Sequence, residues 1–215
     1  MRVIVIGATG RVGRLVCSDL VDAGHEVVAS SRGAGAIQPS EHVEGLVLDL
    51  HSPLSAIIRA FEAAGADAVI FTAGSRGEDI MQVDALGAIK TIEAAKKAGI
   101  ERYIMLGAMY AADMTRWEEP GPKMAIRALP DYYVAKFVAD DHLLHSGLDY
   151  TIIEPGSLVD EEGTGKIQIG TTRPWPIPIP DVAGALAACV DLPGTVGRVY
   201  DMVGGLTPIG QALTE

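Results

Sequence analysis

The sequence is short of several things, and each shortage narrows what the chain can do. Only two of its 215 residues are cysteine, Cys17 and Cys189, far apart and each in an apolar context. That excludes a disulfide framework and leads to the expectation of a reduced, cytoplasmic protein whose thiols are structural. Positive charge is scarce: 17 Lys and Arg stand against 28 Asp and Glu, for a net charge of −11. Such a balance argues against a nucleic-acid partner, because phosphate backbones are bound by basic surfaces. It leaves room for an anionic cofactor, which local N–H groups and a single arginine can hold. No apolar run reaches the ~18 residues of a membrane span. The first residues read as a strand and not as a signal peptide, so no membrane partner is expected. Repeats and low-complexity tails are lacking, and no metal site is expected.

What the sequence does have is apolar bulk and punctuation. Hydrophobic residues make up 48% of the chain, which argues against disorder. The length suits a single α/β domain over residues 1–215 with a substantial core. The organising stretch is its start, where the β-branched run Val3 to Ile6 leads into Gly7-Ala8-Thr9-Gly10-Arg11-Val12-Gly13. An amphipathic segment then opens at Val12, Leu15 and Val16. A buried strand, a glycine turn and a helix start make a phosphate-binding corner. Gly7 lets the chain turn sharply off the strand. Gly10 leaves room for a pyrophosphate beside the backbone. Gly13 lets the helix pack closely on the strand. First-turn N–H groups and the helix dipole face the anion.

This G-x-x-G-x-x-G run resembles the fingerprint of the extended and atypical short-chain dehydrogenase/reductase superfamily. That group includes NAD(P)-dependent epimerase/dehydratase-like and NmrA-like proteins. The resemblance implies an NAD(P)-binding Rossmann-type doubly wound parallel sheet. About seven strands are expected, in the order 3-2-1-4-5-6-7, with helices on both faces. Strands are read at 3–6, 26–29, 46–48, 68–71, 102–106, 149–153 and 198–203. Between them, helices are read at 11–23, 54–64, 79–98, 130–146 and 181–190, with Asp181 as an N-cap and a short last helix from Ile209 to Leu213. Ala111 to Leu129 reads as irregular. The Gly- and Pro-rich stretch within 155–180 reads as a small substrate-side insertion. Its run Trp175-Pro176-Ile177-Pro178-Ile179-Pro180 is expected to be neither helix nor central strand.

Cofactor contacts follow the chain. After the second strand, where an NAD-preferring site carries an acid, stand Ser31 and Arg32. A guanidinium and a hydroxyl suit the 2′-phosphate of NADP, so NADP is expected over NAD. In the resembled family an Asp-Leu pair such as Asp49-Leu50 lies against the adenine. Asp49 is read equally well as the cap of the helix that Ser52-Pro53 opens. The resemblance places Thr72, Ala73 and Gly74 under the dinucleotide, and Pro155 and Gly156 against the nicotinamide.

Tyr132 and Lys136, four apart on one helix, match the Tyr-x-x-x-Lys pair of short-chain dehydrogenases. In that pair an ammonium favours release of the phenol's proton, and the lysine also bonds the nicotinamide ribose. Tyr133 and Phe137 share the spacing and are read as core. Two departures from the family stand out. Gly107-Ala108 replaces the usual serine pair whose hydroxyl polarises the substrate carbonyl, with Tyr110 as a possible substitute. Glu154 stands where many relatives have Arg. The function expected is an NADP-dependent oxidoreductase that acts on a small carbonyl, alcohol or quinone, as a monomer or homodimer. The alternatives are a non-catalytic NmrA-like dinucleotide sensor and a sugar-nucleotide epimerase/dehydratase-like enzyme.

Overall fold

The computed structural model describes every residue except 34, 172 and 174. Its centre is β1 (Arg2–Ile6), which alternates its side chains between two hydrophobic layers. Val3 and Val5 point into one core, Ile4 and Ile6 into the other. Both faces are therefore covered, and the strand reads as a continuous apolar run. Beyond β1 the chain alternates α1 (Arg11–Asp22), β2 (Glu26–Ser31), β3 (Val43–Val47), α2 (Leu54–Ala64) and β4 (Ala68–Phe71). A π-helical turn at Ile80–Ala85 leads directly into α3 (Leu86–Ala98), followed by β5 (Arg102–Leu106). Next come α4 (Pro120–Ala128), α5 (Pro130–Leu144), β6 (Asp149–Pro155), β7 (Leu158–Val159), β8 (Lys166–Ile169) and β9 (Ile177–Pro178). The chain ends with α6 (Ile179–Ala188), β10 (Arg198–Gly204), β11 (Thr207–Pro208) and α7 (Ile209–Ala212).

Nine strands form the main sheet, in the order β11-β8-β10-β6-β5-β4-β1-β2-β3. The seven from β10 to β3 are parallel neighbours in the expected order. At one edge β8 runs antiparallel to β10, and β11 pairs antiparallel with β8. Val12, Val16 and Leu20 of α1 pack with Val182 and Leu186 of α6 on one face. Ile57 and Phe61 of α2, Ile92 of α3 and Leu143 of α5 cover the other. The strand order reverses about β1, so the crevice of the fold opens where β1 and β4 end.

Several boundaries differ from the sequence reading for identifiable reasons. The third strand covers 43–47 and not 46–48, because its backbone follows β2 from Val27 onward. The helix read from 79 to 98 is π-helical over its first six residues, a shift that buries Asp84. The stretch 111–129 is not irregular throughout: a 3₁₀ turn at Met114–Arg116 is capped by Asp113, and α4 follows with Pro120 in its first turn. Pro180 likewise sits in the first turn of α6, where no N–H is required. That helix therefore starts at Ile179, and Asp181 is not its cap. Its carboxylate instead accepts from the N–H groups of Thr164 and Gly165, at 2.9 and 2.8 Å. Within 155–180, β8 joins the main sheet, while β7 and β9 pair in a small sheet of their own.

Candidate functional site

The corner after β1 is built by contact as well as by freedom. Gly7 has φ +83°, in the left-handed region, and a Cβ there would stand 2.8 Å from the backbone of Ala73. At Gly13 a Cβ would run into the Gly7 carbonyl and stand 2.8 Å from Thr72 Oγ1, so α1 lies directly on the turn. Gly10 differs. Its N–H closes the turn onto Gly7 O at 2.9 Å, and a Cβ would meet nothing but that same carbonyl, at 3.1 Å. Gly10 is the N-cap of α1 and has no side-chain bond, and the first turn holds no acid. The first-turn N–H groups of Arg11, Val12 and Gly13 thus have neither a capping side chain nor a carboxylate before them. Val12 is buried in the core, Thr9 is exposed beside the turn, and the Arg11 guanidinium reaches Asp160 at 3.2 Å. A glycine cradle ending in uncapped N–H groups suits a pyrophosphate.

Along the crevice, Thr72 Oγ1 donates to Ile6 O at 2.8 Å, which fastens the end of β4 to β1. The buried carboxylate of Asp84 accepts from Ser75 N at 2.9 Å, and its other oxygen is the nearest atom to a Cβ on Gly74. Asp84 therefore shapes the segment Thr72 to Ser75, a role not visible in the sequence. Its one signal is an acid on the otherwise apolar face of the helix.

At the end of β2 the two residues expected to meet a 2′-phosphate part ways. Arg32 is exposed, whereas Ser31 is buried and donates its hydroxyl to Gly33 O at 2.9 Å. Asp49 caps no helix: α2 starts on Pro53 without a side-chain cap. Instead Asp49 accepts from both the backbone N–H and the ring of His51, at 2.9 Å each, and these bonds hold its carboxyl below the usual range. His51 also reaches Asp79 at 2.6 Å, and its two carboxylate partners push its pKa up. Leu50 is buried under Gly87, in the core.

Lys136 is buried, and its ammonium donates to Leu106 O, the last residue of β5, at 2.9 Å. It lies 5.9 Å from the centre of the Tyr132 ring, so the pair shares one helix face. Tyr132 is half-buried against Tyr133, edge to face at 5.8 Å. Tyr133 and Phe137 both pack edge-on against Trp117. Burial pushes the Tyr133 phenol up to about 12. Tyr110 does not supply the missing hydroxyl: it is 1% exposed, and its OH points to Thr171 O at 3.5 Å. The guanidinium of Arg116 lies 4.4 Å over its ring. Pro155 O accepts from Met109 N at 3.2 Å. Gly156 admits the Trp175 carbonyl so closely that any Cβ would overlap it. Burial pushes the Cys17 thiol up to about 12 and that of Cys189 to about 11, which favours the protonated thiol over the thiolate at both. No helix among the described residues is long and apolar enough to cross a membrane.

The chain is similar to known proteins in sequence and fold. Residues 7–193 match the model of the NAD(P)H-binding family. A protein of Bacillus subtilis named as an uncharacterized sugar epimerase is 38% identical over the full length of both chains. The crystal structure of an oxidoreductase from Lactococcus lactis superposes with a TM-score of 0.92 at 33% identity, covering 99% of this chain and 95% of that one. An anaerobillin reductase from Escherichia coli O157:H7 gives a TM-score of 0.81 at 27% identity, covering 97% of this chain and all of that one. With the glycine corner, the reversal of strand order beside it and a family match across most of its length, the chain belongs to the NAD(P)H-binding family, among epimerase/dehydratase-like oxidoreductases of Rossmann fold.

Proposed function

We propose that the protein is an NADP-dependent reductase of the atypical short-chain type, acting on a small carbonyl or quinone. The observation that carries the reading is the placement of Lys136. Its ammonium is anchored on the last carbonyl of β5, beside Tyr132 and at the same sheet edge as the glycine corner. NADP, when bound, supplies or accepts a hydride at its nicotinamide ring. The chain's own part is to hold and to move a proton. Gly7, Thr9, Gly10, Arg11, Val12 and Gly13 would seat the pyrophosphate. Arg32 would face the 2′-phosphate, with Ser31 beside it, its proton held by Gly33 O. Asp49 and Leu50 would serve the adenine side, Thr72, Ala73 and Gly74 would underlie the dinucleotide, and Pro155 and Gly156 would meet its nicotinamide end. Tyr132 would give its proton to the substrate oxygen, and Lys136 would stabilise the phenolate and hold the ribose.

Two relatives named as an oxidoreductase and as a reductase support the hydride-transfer class. The B. subtilis relative carries the name of a sugar epimerase, so a nucleotide sugar belongs in the substrate panel. A specific observation also favours a second reading, a dinucleotide sensor without turnover. The turn after β5 offers no hydroxyl, and the nearby Tyr110 is buried. The test is NADPH oxidation against aldehydes, ketones, quinones and nucleotide sugars, run beside calorimetric titration of NADP. Turnover supports the reductase. Binding without turnover of anything in the panel favours the sensor.

A further inference from the structure

The two departures from the family pattern, Gly107 and Glu154, are one structural feature. A Cβ on Gly107 would stand 3.2 Å from Glu154 Cγ, 3.4 Å from Asp140 Oδ2 and 3.1 Å from Ile152 Cγ2. A side chain at 107 would press on Ile152 and Glu154, which would have to give by a few tenths of an ångström, and would touch Asp140. Glu154 on β6 is 2% exposed, and Asp140 on α5 is 0% exposed. The Glu154 carboxyl holds the turn that follows β5 by its backbone. Oε1 accepts from Ala112 N at 2.7 Å, and Oε2 accepts from Tyr110 N at 3.1 Å. Tyr110 N is shared with Asp201 Oδ1 of β10, also at 3.1 Å. The turn needs this hold, because Tyr110 is a non-glycine residue at φ +68°.

The charges that meet here do not balance. Asp140, Glu154 and Asp201 are three enclosed acids, and a fourth, the half-buried Glu119, meets Arg116 from the solvent side at 3.4 Å. Arg116, paired with Asp201, and Lys136, one helical turn before Asp140, are two cations. The phenols of Tyr110 and Tyr133 also face the cluster and stay neutral, since burial pushes both up. Fully ionised, the group would keep one uncompensated negative charge in the interior, which is costly, and a single bound proton removes it. Neither oxygen of Asp140 has a hydrogen-bond partner among the described residues. That is where an ionised carboxylate would be worst placed and where a proton has room to sit.

We propose that Asp140 and Glu154 hold one proton between them, and that Glu154, so neutralised, is the positioning residue of the 107–112 turn. The proposal rests on the reductase reading only in counting that turn as a wall of the site. Burial acts in the same sense on both groups, carrying Asp140 up to about 7 and Glu154 well above the usual carboxylate range. Lys136 opposes the shift at Asp140, and the Ala112 amide opposes it at Glu154. When the proton leaves, two adjacent carboxylates repel, and the amides of Tyr110 and Ala112 lose a settled acceptor.

Trp117 reports on the turn directly, because its indole N–H donates to Tyr110 O at 2.9 Å. The experiment uses the whole chain carrying Trp175→Phe, which leaves Trp117 as the single tryptophan, and needs neither cofactor nor substrate. Trp117 emission and the infrared carbonyl band of a protonated carboxyl are followed together between roughly pH 5 and 9. The expected result is one coincident step, with the band lost as emission shifts. In Asp140→Asn, whose amide replaces the protonated carboxyl, both changes should vanish and emission should stay in its low-pH form. Glu154→Gln should lose the band too, with emission displaced at every pH because the clamp on Ala112 and Tyr110 is weakened. A wild-type protein without the protonated-carboxyl band, or an Asp140→Asn protein that keeps the emission step, would overturn the proposal. Since no ligand takes part, that failure would leave the reductase reading untouched. A protein that fails to turn over substrate would leave the carboxyl pair untouched in turn.

Discussion

Arg32 is exposed immediately beyond β2, and no acid occupies the end of that strand. An arginine so placed can fork onto a phosphate, while Ser31 has already committed its one proton to Gly33 O and can only accept. Selectivity for NADP is therefore expected to rest on Arg32 alone. Arg32→Ala should cost about 1–3 kcal/mol of NADP affinity, roughly 5- to 150-fold, with little effect on NAD, and Ser31→Ala should cost much less. Calorimetric titration of both dinucleotides checks this, and equal losses for NAD and NADP would count against a phosphate contact. Tyr132 gives a second prediction. Tyr132→Phe removes a hydroxyl and keeps the ring against Tyr133. Steady-state NADPH oxidation on the best substrate should fall by roughly 10²–10⁴-fold at unchanged NADP affinity. Equal turnover would show that another group supplies the proton.

At the scale of the element, what the sequence announces and what it hides follow from the range of the interaction. The corner after β1 was legible because its strand, turn and helix start are contiguous, and Tyr132 and Lys136 were legible because i and i+4 share a helix face. Strand order followed from the alternation of elements. Hidden were the features that depend on a partner from another element: Asp84 bonding Ser75, Asp181 bonding the 164–165 loop, and Glu154 lying against Asp140. Asp140 did leave a trace, an acid four residues after Lys136 on the buried stripe of α5, but its burial is set by β5 and β6. Prolines misled in the other direction. Pro120 and Pro180 each open a helix, although in a run of neighbours they look like breakers. The glycines of the corner supply a test at this scale. Gly10→Val, at φ −73°, sets its Cβ 3.1 Å from Gly7 O and meets no other atom, so the protein should stay folded after a small adjustment and lose dinucleotide binding. Gly13→Ala drives a methyl into the Gly7 carbonyl, so α1 should lift from the turn and stability should fall by roughly 1–3 kcal/mol or more. Thermal denaturation with and without NADP separates the two. A Gly10→Val protein that binds normally would place the cofactor elsewhere.

For the molecule as a whole, the buried proton couples the fold to pH. The pKa of Asp140 is raised from 3.8 to about 7 on folding, so the native state binds its proton more tightly than the unfolded chain does. The stability tied to that proton is complete below the unfolded value and is lost as pH rises through the folded one. Exposed His42 and His51 act in the same direction, since Glu26 and the pair Asp49 and Asp79 raise their pKa values. The two sources differ in their response to salt. Surface pairs are screened at a few tenths molar ionic strength, and a carboxyl buried under Gly107 is not. Wild-type Tm should therefore fall from about pH 5 to about pH 8 even in high salt, by an amount on the order of a few kcal/mol in stability. Asp140→Asn carries a neutral group of the same shape. It should match wild type at the acid end, exceed it at the alkaline end and show a nearly flat profile in high salt. Differential scanning calorimetry of both proteins across that range decides the matter. Parallel profiles would mean that the carboxyl is ionised throughout, with Lys136 alone balancing it.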